Sequence, residues 1–191
     1  MWIADFGADM AHDKATFYEA PFAFVRKHVA PTRVGKREAR TNECYWLFQW
    51  SRPIMRRAIE RLSRFIVPPE VAKFRNFVWL PAAVIADKNL IVIARADDST
   101  FGILHSRMHE LWSLRLGTSL EDRPRYTPTT CFETFPFPAG LMPADTAHQR
   151  TETLDAGALI PAELPTPVRT RAEAIARTAQ RLVYVRDAWL N

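Results

Sequence analysis

The residues best equipped for chemistry lie in residues 101–117, FGILHSRMHELWSLRLG, where His105 and His109 stand four apart with Glu110 beside them. That spacing places two imidazoles on one face of a helix, as two metal ligands on one helix require. The zincin pattern also needs Glu directly after the first His, and Ser106 stands there. The inverted pattern needs Glu just before the second His, and Met108 stands there. Cys44 and Cys131 are too far apart for a zinc knuckle or a disulfide framework, and no other cluster offers a further ligand. The histidines are therefore expected to pack or hydrogen-bond at the edge of an apolar helix.

Other chemistries fail in the same way. Glu70 and Lys73 in PPEVAKF resemble an acidic–basic nuclease pair, but one residue too far apart. A nucleotide or S-adenosylmethionine site needs a Gly-rich strand–helix turn. The six glycines are scattered, without a GxG pair, and no Asn-Pro-Pro-aromatic or Asp-Pro-Pro-aromatic segment is present to hold a flipped adenine. No catalytic, cofactor-binding or metal-binding residue is assigned.

The elements that must position these residues are legible in outline. The chain has 191 residues, 48% hydrophobic and 12% aromatic, enough for a sizeable core. MWIADFG reads as a short buried strand, DMAHDKATFYEA as broken helix, and PFAFVRKHVAPTR as a helix with Pro21 at its start and Pro31 beyond its end. Residues 33–42 are polar and basic, a linker or an exposed helical arm. RPIMRRAIERLS is amphipathic, with Ile54, Ala58, Ile59 and Leu62 on one face. RFIVPPEVAKFRNFVWLP holds two candidate strands around the Pro68-Pro69 break. AAVIADKNLIVIARADD suggests a hairpin turning at residues 87–89, with NLIVIA a strand covered on both faces.

Asp98 or Ser99 should cap a scaffold helix. Its stripe is Phe101, Leu104, Met108, Leu111 and Trp112, its stop is Gly117, and its apolar face packs on the sheet. RPRYTPTTCFETFPFP is extended and broken by prolines. Residues 139–167 shift to Pro, Ala, Thr and acidic residues, a linker or a loosely packed wrap. A final helix of about five turns closes the chain. Ala174, Ile175, Leu182, Val185 and Trp189 are expected to form its packing face.

The net charge is +5, and of 26 basic residues five are Lys and the other 21 Arg. Arginine offers a planar fork for phosphates and guanine edges where lysine offers a point charge. The candidate DNA-binding residues are Arg37, Arg40, Arg56, Arg57, Arg64, Lys73, Arg75, Arg107, Arg123 and Arg125, interleaved with aromatics. A salt-bridged, solvated face involving Glu60 and Glu70 is the alternative. The first residues lack a basic n-region followed by an apolar run, so no signal peptide is read. No stretch is long enough to span a bilayer. With two cysteines read as reduced thiols, a cytoplasmic protein is expected.

Two blocks carry more than composition: RFIVPPEVAKFRNFVWL, and LIVIARADDSTFGILHSRMHELWSLRLGTSLEDRPRYTPTTCFETFPFP. They closely resemble the target-recognition region of large bacterial DNA methyltransferases. These are the type IIL restriction–modification proteins of the MmeI kind and their methyltransferase-only relatives in phage defence. The likeness runs from about Trp2 to about Pro138 and is weaker in the tail.

The expected fold is an α/β (α+β) recognition domain with a mixed sheet and a packed scaffold helix. Residues 1–33 would be the join from a methyltransferase core, 34–138 the recognition domain, and 139–191 a linker and C-terminal helix. The resemblance implies sequence-specific recognition of duplex DNA for adenine methylation, with S-adenosylmethionine bound elsewhere in the parent enzyme. The chain would then be the C-terminal piece of such a protein, as a truncated gene, a split subunit or a separate domain, with no activity expected alone. The partners implied are duplex DNA and a methyltransferase catalytic domain or subunit. The alternative is a docking subunit for a separate methyltransferase, with little DNA contact.

Overall fold

A computed structural model describes residues 3–120 and 122–190. The chain forms two compact units, Met1–Arg57 and Ala58–Asn191. The described residues of the first form the short helices α1 (His12–Thr16), α2 (Glu19–His28), α3 (Ala30–Arg33) and α4 (Ala39–Glu43). A fifth helix is α5 (Pro53–Ile59). The core of the first unit gathers Phe6, Ala15, Phe22, Val25 and Leu47. The indole of Trp46 donates to the Met10 carbonyl at 2.8 Å.

One expectation for this unit is corrected. Residues 3–6 have no regular structure, and Met1 and Trp2 lie outside the described residues. Pro31 stands beyond the end of α2, as expected, and also opens α3, where its missing N–H costs nothing. Contacts group residues 34–57 with these helices.

The second unit is built on an antiparallel pair, β1 (Arg64–Val67) and β2 (Val78–Pro81), registered Arg64↔Pro81 to Val67↔Val78. The expected hairpin within residues 82–94 does not form. Residues 82–86 are turn and coil, and the NLIVIA segment lies along the other edge of β1. Its bridges are Ile66↔Ile93 and Pro69↔Leu90. Pro68 and Pro69 have no N–H to donate, so this pairing is limited to isolated bridges.

Burial on both faces, as expected for that segment, is observed. Ile91 and Ile93 join the main core, while Val92 and Ala94 pack with Phe65, Val67 and Ile59 on the opposite side. Ile59 and Leu62 reach that second cluster, but Ile54 is 78% exposed.

The scaffold helix is two helices, α6 (Asp98–Leu104) and α7 (Arg107–Leu116). Asp97, one residue before the expected cap, accepts the Thr100 N–H. Ser106 adopts an extended conformation and its hydroxyl accepts the His109 N–H, which starts a new helix. The restart changes the inward face. Phe101 and Leu104 are buried, but Met108 and Leu111 are exposed while His109 and Ser113 face the core.

A hairpin follows, β3 (Thr118–Leu120) and β4 (Arg123–Arg125), then α8 (Pro128–Cys131) and α9 (Pro143–Thr146). Another hairpin, β5 (Thr151–Thr153) with β6 (Leu159–Pro161), buries Ala158 and Ile160 in the main core. Residues 139–165 therefore wrap tightly onto the unit.

The last helix, α10 (Thr166–Leu190), meets α6 through Ala172, Ala176 and Ala179. The expected larger stripe is displaced. Ile175 is half-buried, but Ala174, Leu182, Val185 and Trp189 are exposed. Close approach selects the small residues. A Cβ at Gly102 of α6 would stand 2.7 Å from Ile175 Cγ2 and 3.2 Å from the Ile175 carbonyl.

Gly102→Ala should therefore lower the thermal midpoint. Overpacking of this kind costs about 1–3 kcal/mol, more than the ~1 kcal/mol gained in helix propensity. Thermal unfolding of the two chains checks this.

Candidate nucleic-acid interface

The Arg-rich segments separate into those that hold the fold together and those that face outward. Arg64 belongs to the first group. Its Nε donates to the Ala96 carbonyl at 3.1 Å and its Nη2 to the Asp98 carboxylate at 2.8 Å. The guanidinium lies 3.8 Å from the centre of the Trp79 ring, which stacks in turn on Phe101. Burial raises the Asp98 carboxyl above its ordinary range, against the Leu159 N–H and Arg64, which favour the charged form.

Arg56 makes a paired contact with Asp5, at 2.9 Å to each oxygen. Arg57 is exposed and its Nε reaches the Pro53 carbonyl. Arg37 is exposed, and Arg40 donates to the Ala8 carbonyl. Arg107 is exposed and pairs with Glu110 one turn away.

The outward-facing group centres on the β3–β4 hairpin. Its register sets Thr118 opposite Arg125 and Leu120 opposite Arg123. Alternation along the strands puts all four on one face of the ribbon. The ribbon can start directly from α7 because residue 117 is glycine. A Cβ there would lie 2.6 Å from both the Arg125 and the Ser113 carbonyls. Gly117 has φ −69°, so close approach, and not left-handed backbone, requires it.

A third segment joins on the far side of β4. Val71 bridges Arg125, the Tyr126 N–H donates to the Glu70 carbonyl at 2.7 Å, and the Ala72 N–H donates to the Pro124 carbonyl. Glu70 Oε1 also accepts from both Nε and Nη2 of Arg125. Residues 70–75 thus border the ribbon, carrying Lys73 and Phe74 outward and Arg75 inward. Arg75 is only 8% exposed. Its Nη1 donates to the Pro124 carbonyl, and burial pulls its pKa below the ordinary arginine value.

The histidines sit beneath this surface. His105 Nδ1 lies 3.2 Å from the Phe101 carbonyl, and its Nε2 accepts the Phe77 N–H. Only the neutral ring satisfies both. His109 is fully buried, with Nε2 3.1 Å from the Tyr126 hydroxyl. Burial, and secondarily Arg75 and His105, hold His109 down to about 4. Burial likewise pushes the Tyr126 phenol well up. The expected edge packing holds for His105, while His109 lies deeper, inside the core. Both cysteines are free thiols. Among the described residues no group of three or more His, Cys, Asp or Glu side chains could hold a metal ion. Nor is any helix there long and apolar enough to cross a membrane.

The sequence reading overlooked Arg115, Phe74 and Leu120, all exposed around the ribbon. Gly117 followed by a short Thr-Ser-Leu strand was the available signal.

An α+β domain that presents an arginine-bearing β-ribbon is the class defined by this fold and surface. The sequence matches the MmeI target recognition domain over residues 2–139, and the chain belongs to that family. A solved structure of the type IIL restriction-modification enzyme MmeI in complex with DNA is similar in fold, with TM-score 0.63 and 18% identity. The match covers 93% of this chain and 20% of that one, so the chain spans about a fifth of that enzyme's length. No curated protein sequence matches.

The buried histidines yield a pH prediction. The unfolded chain protonates His109 near 6.5, whereas the folded one resists until about 4. Between these values the unfolded state binds more protons, so stability falls as pH is lowered. The loss is about 3 kcal/mol at most, from 1.36 kcal/mol per unit. Burial lowers His105 in the same direction. Denaturant unfolding at pH 7 and pH 4.5 should show this drop. A His105→Gln, His109→Gln chain should lose much of the difference.

Proposed function

We propose that this chain recognises a specific sequence in duplex DNA as the target-recognition module of an adenine-specific, S-adenosylmethionine-dependent methyltransferase of the type IIL kind. The observation that carries the reading is the family membership over residues 2–139. The fold likeness to an MmeI solved with DNA supports it. In this reading residues 1–33 join the module to a catalytic region, residues 34–138 recognise DNA, and residues 139–191 form the C-terminal wrap and helix. A β-ribbon has the width to enter a major groove, where base edges are distinguishable.

Within the reading, Lys73, Arg57, Arg115 and Arg123 contact phosphates, with Arg107, Arg37 and Arg40 as further candidates. Arg125 reads a base edge. Glu70 fixes its guanidinium plane and also places a negative charge beside it, which suits a base edge better than a phosphate. Arg56, Arg64 and Arg75 serve the fold.

A second reading, docking on a separate or contiguous catalytic region, rests on exposed apolar surface. The first unit exposes Phe17 at 81% and Trp50 at 73%, and α10 exposes Trp189 at 84%. The two roles are compatible, and a methyltransferase region is the partner proposed for these surfaces.

The test is titration of duplex DNA at several salt concentrations. If about four cationic side chains meet phosphates, log affinity should fall against log salt with a slope near −3.5, from ~0.9 per phosphate. Lys73→Ala should weaken all duplexes alike and reduce the slope by about one. Arg125→Ala should relax the choice at one base pair, at about 1–3 kcal/mol. Arg64→Ala should leave the slope unchanged and lower stability by about 3 kcal/mol, since it removes the cation from a buried carboxylate. Absence of binding at low salt would leave docking as the chain's role.

A further inference from the structure

Residues 73–75 invert the usual arrangement of side chains. Phe74 is 63% exposed, while its neighbour Arg75 is 8% exposed. An apolar ring left in water beside a charge taken out of it is unfavourable at both positions. Nε and Nη2 of Arg75 are buried without a protein acceptor, which adds to the cost.

The backbone on either side prevents relaxation. Before the tip, Val71 and Ala72 are held against β4. After it, the Arg75 side chain is anchored on the Pro124 carbonyl, and Phe77 is fully buried. These anchors project the Phe74 ring from a fixed point beside the ribbon. The Lys73 ammonium lies 5.3 Å from the centre of that ring, so a cation accompanies it.

We infer that Phe74 is a wedge that stacks on a base of the bound duplex at an opened base step, with Lys73 on the flanking phosphate. The inference rests on the DNA-recognition reading and names a contact within it. Every base offers a π-face to an aromatic ring, and apolar side chains inserted at a base step unstack it. Local opening of the duplex would then add a shape-dependent component to recognition, favouring steps that unstack readily.

The test uses the full chain and a short duplex that it selects from a randomised pool, with 2-aminopurine replacing each adenine in turn. The parent chain should raise the fluorescence severalfold at one or two adjacent positions. Phe74→Ala should abolish that rise and weaken binding about ten- to a hundredfold, as loss of one aromatic–base stack does. Its salt slope should stay unchanged, because no charge is lost. Phe74→Trp should keep both the signal and the affinity. The exposed ring is not part of the core, so Phe74→Ala should melt with the parent.

Parental affinity in Phe74→Ala, or a fluorescence rise that persists in it, would overturn the wedge while leaving DNA recognition standing. Failure of the parent chain to bind any duplex at low salt would overturn the recognition reading and the wedge together.

Discussion

The second unit depends on a pair of adjacent carboxylates, Asp97 and Asp98, at the start of α6. Asp97 accepts the Thr100 N–H and the Ser99 and Thr100 hydroxyls, and it pairs with Arg95 at 2.9 Å. Asp98 accepts from Arg64 of β1 and from the Leu159 N–H of β6. Two neighbouring residues thus cap a helix and fasten it to a sheet strand and to the late hairpin. Both are almost wholly buried. Charges taken out of water are tolerated only with this density of donors, and the loss of one partner strands the other. The anchored helix then carries Phe101 against Trp79 and offers Gly102 to the alanine face of α10.

From this frame the surface ribbon is positioned by succession. Ser106 ends one helix and starts the next in a different phase, which turns His109 and Ser113 inward. His109 meets Tyr126, the residue directly after β4. Gly117 lets the chain leave α7 in contact with Arg125. The ribbon is therefore held at its base by a buried imidazole–phenol contact and by backbone proximity. The residues that looked most chemical act as positioning elements: His105 bonds the Phe101 carbonyl and the Phe77 N–H, and His109 Nε2 meets the Tyr126 hydroxyl.

Much of the frame was legible from local pattern. The apolar residues of RFIV, the apolar run NLIVIA and the helical spacing around Phe101 placed the sheet, the two-sided strand and the helix. What escaped had nonlocal causes. NLIVIA pairs with β1 and not with residues 82–86, a choice set by the shared core. Hydrophobicity favoured Leu182, Val185 and Trp189 as the packing face of α10, yet its buried residues are Ala172, Ala176 and Ala179, with Ile175 and Ala179 closest to Gly102. Met108 seemed to continue the stripe of Phe101, but a serine cap re-phased the helix. For the surface, composition identified arginine as the relevant side chain without showing which guanidinium groups are already engaged.

That distinction is the physical basis for sorting the arginines. A guanidinium with its donors spent inside the fold has little to offer a ligand. Arg64 meets that condition through a carboxylate, a carbonyl and an indole face, and Arg56 through a paired carboxylate. Arg125 differs. Glu70 takes two of its N–H groups and sets its plane, so Nη1 remains to point along a defined direction. In the recognition role proposed above, such orientation reduces the entropy lost on forming a directional contact. It also lowers the local positive charge that a phosphate would reward. Among the described residues Lys73 and Arg115 have no carboxylate partner, which in the proposed role suits the less directional attraction of the DNA backbone. In that proposed role, an oriented Arg125 with Lys73 and Arg115 nearby in sequence or pairing would divide specificity from affinity, as DNA recognition through separate base and phosphate contacts requires.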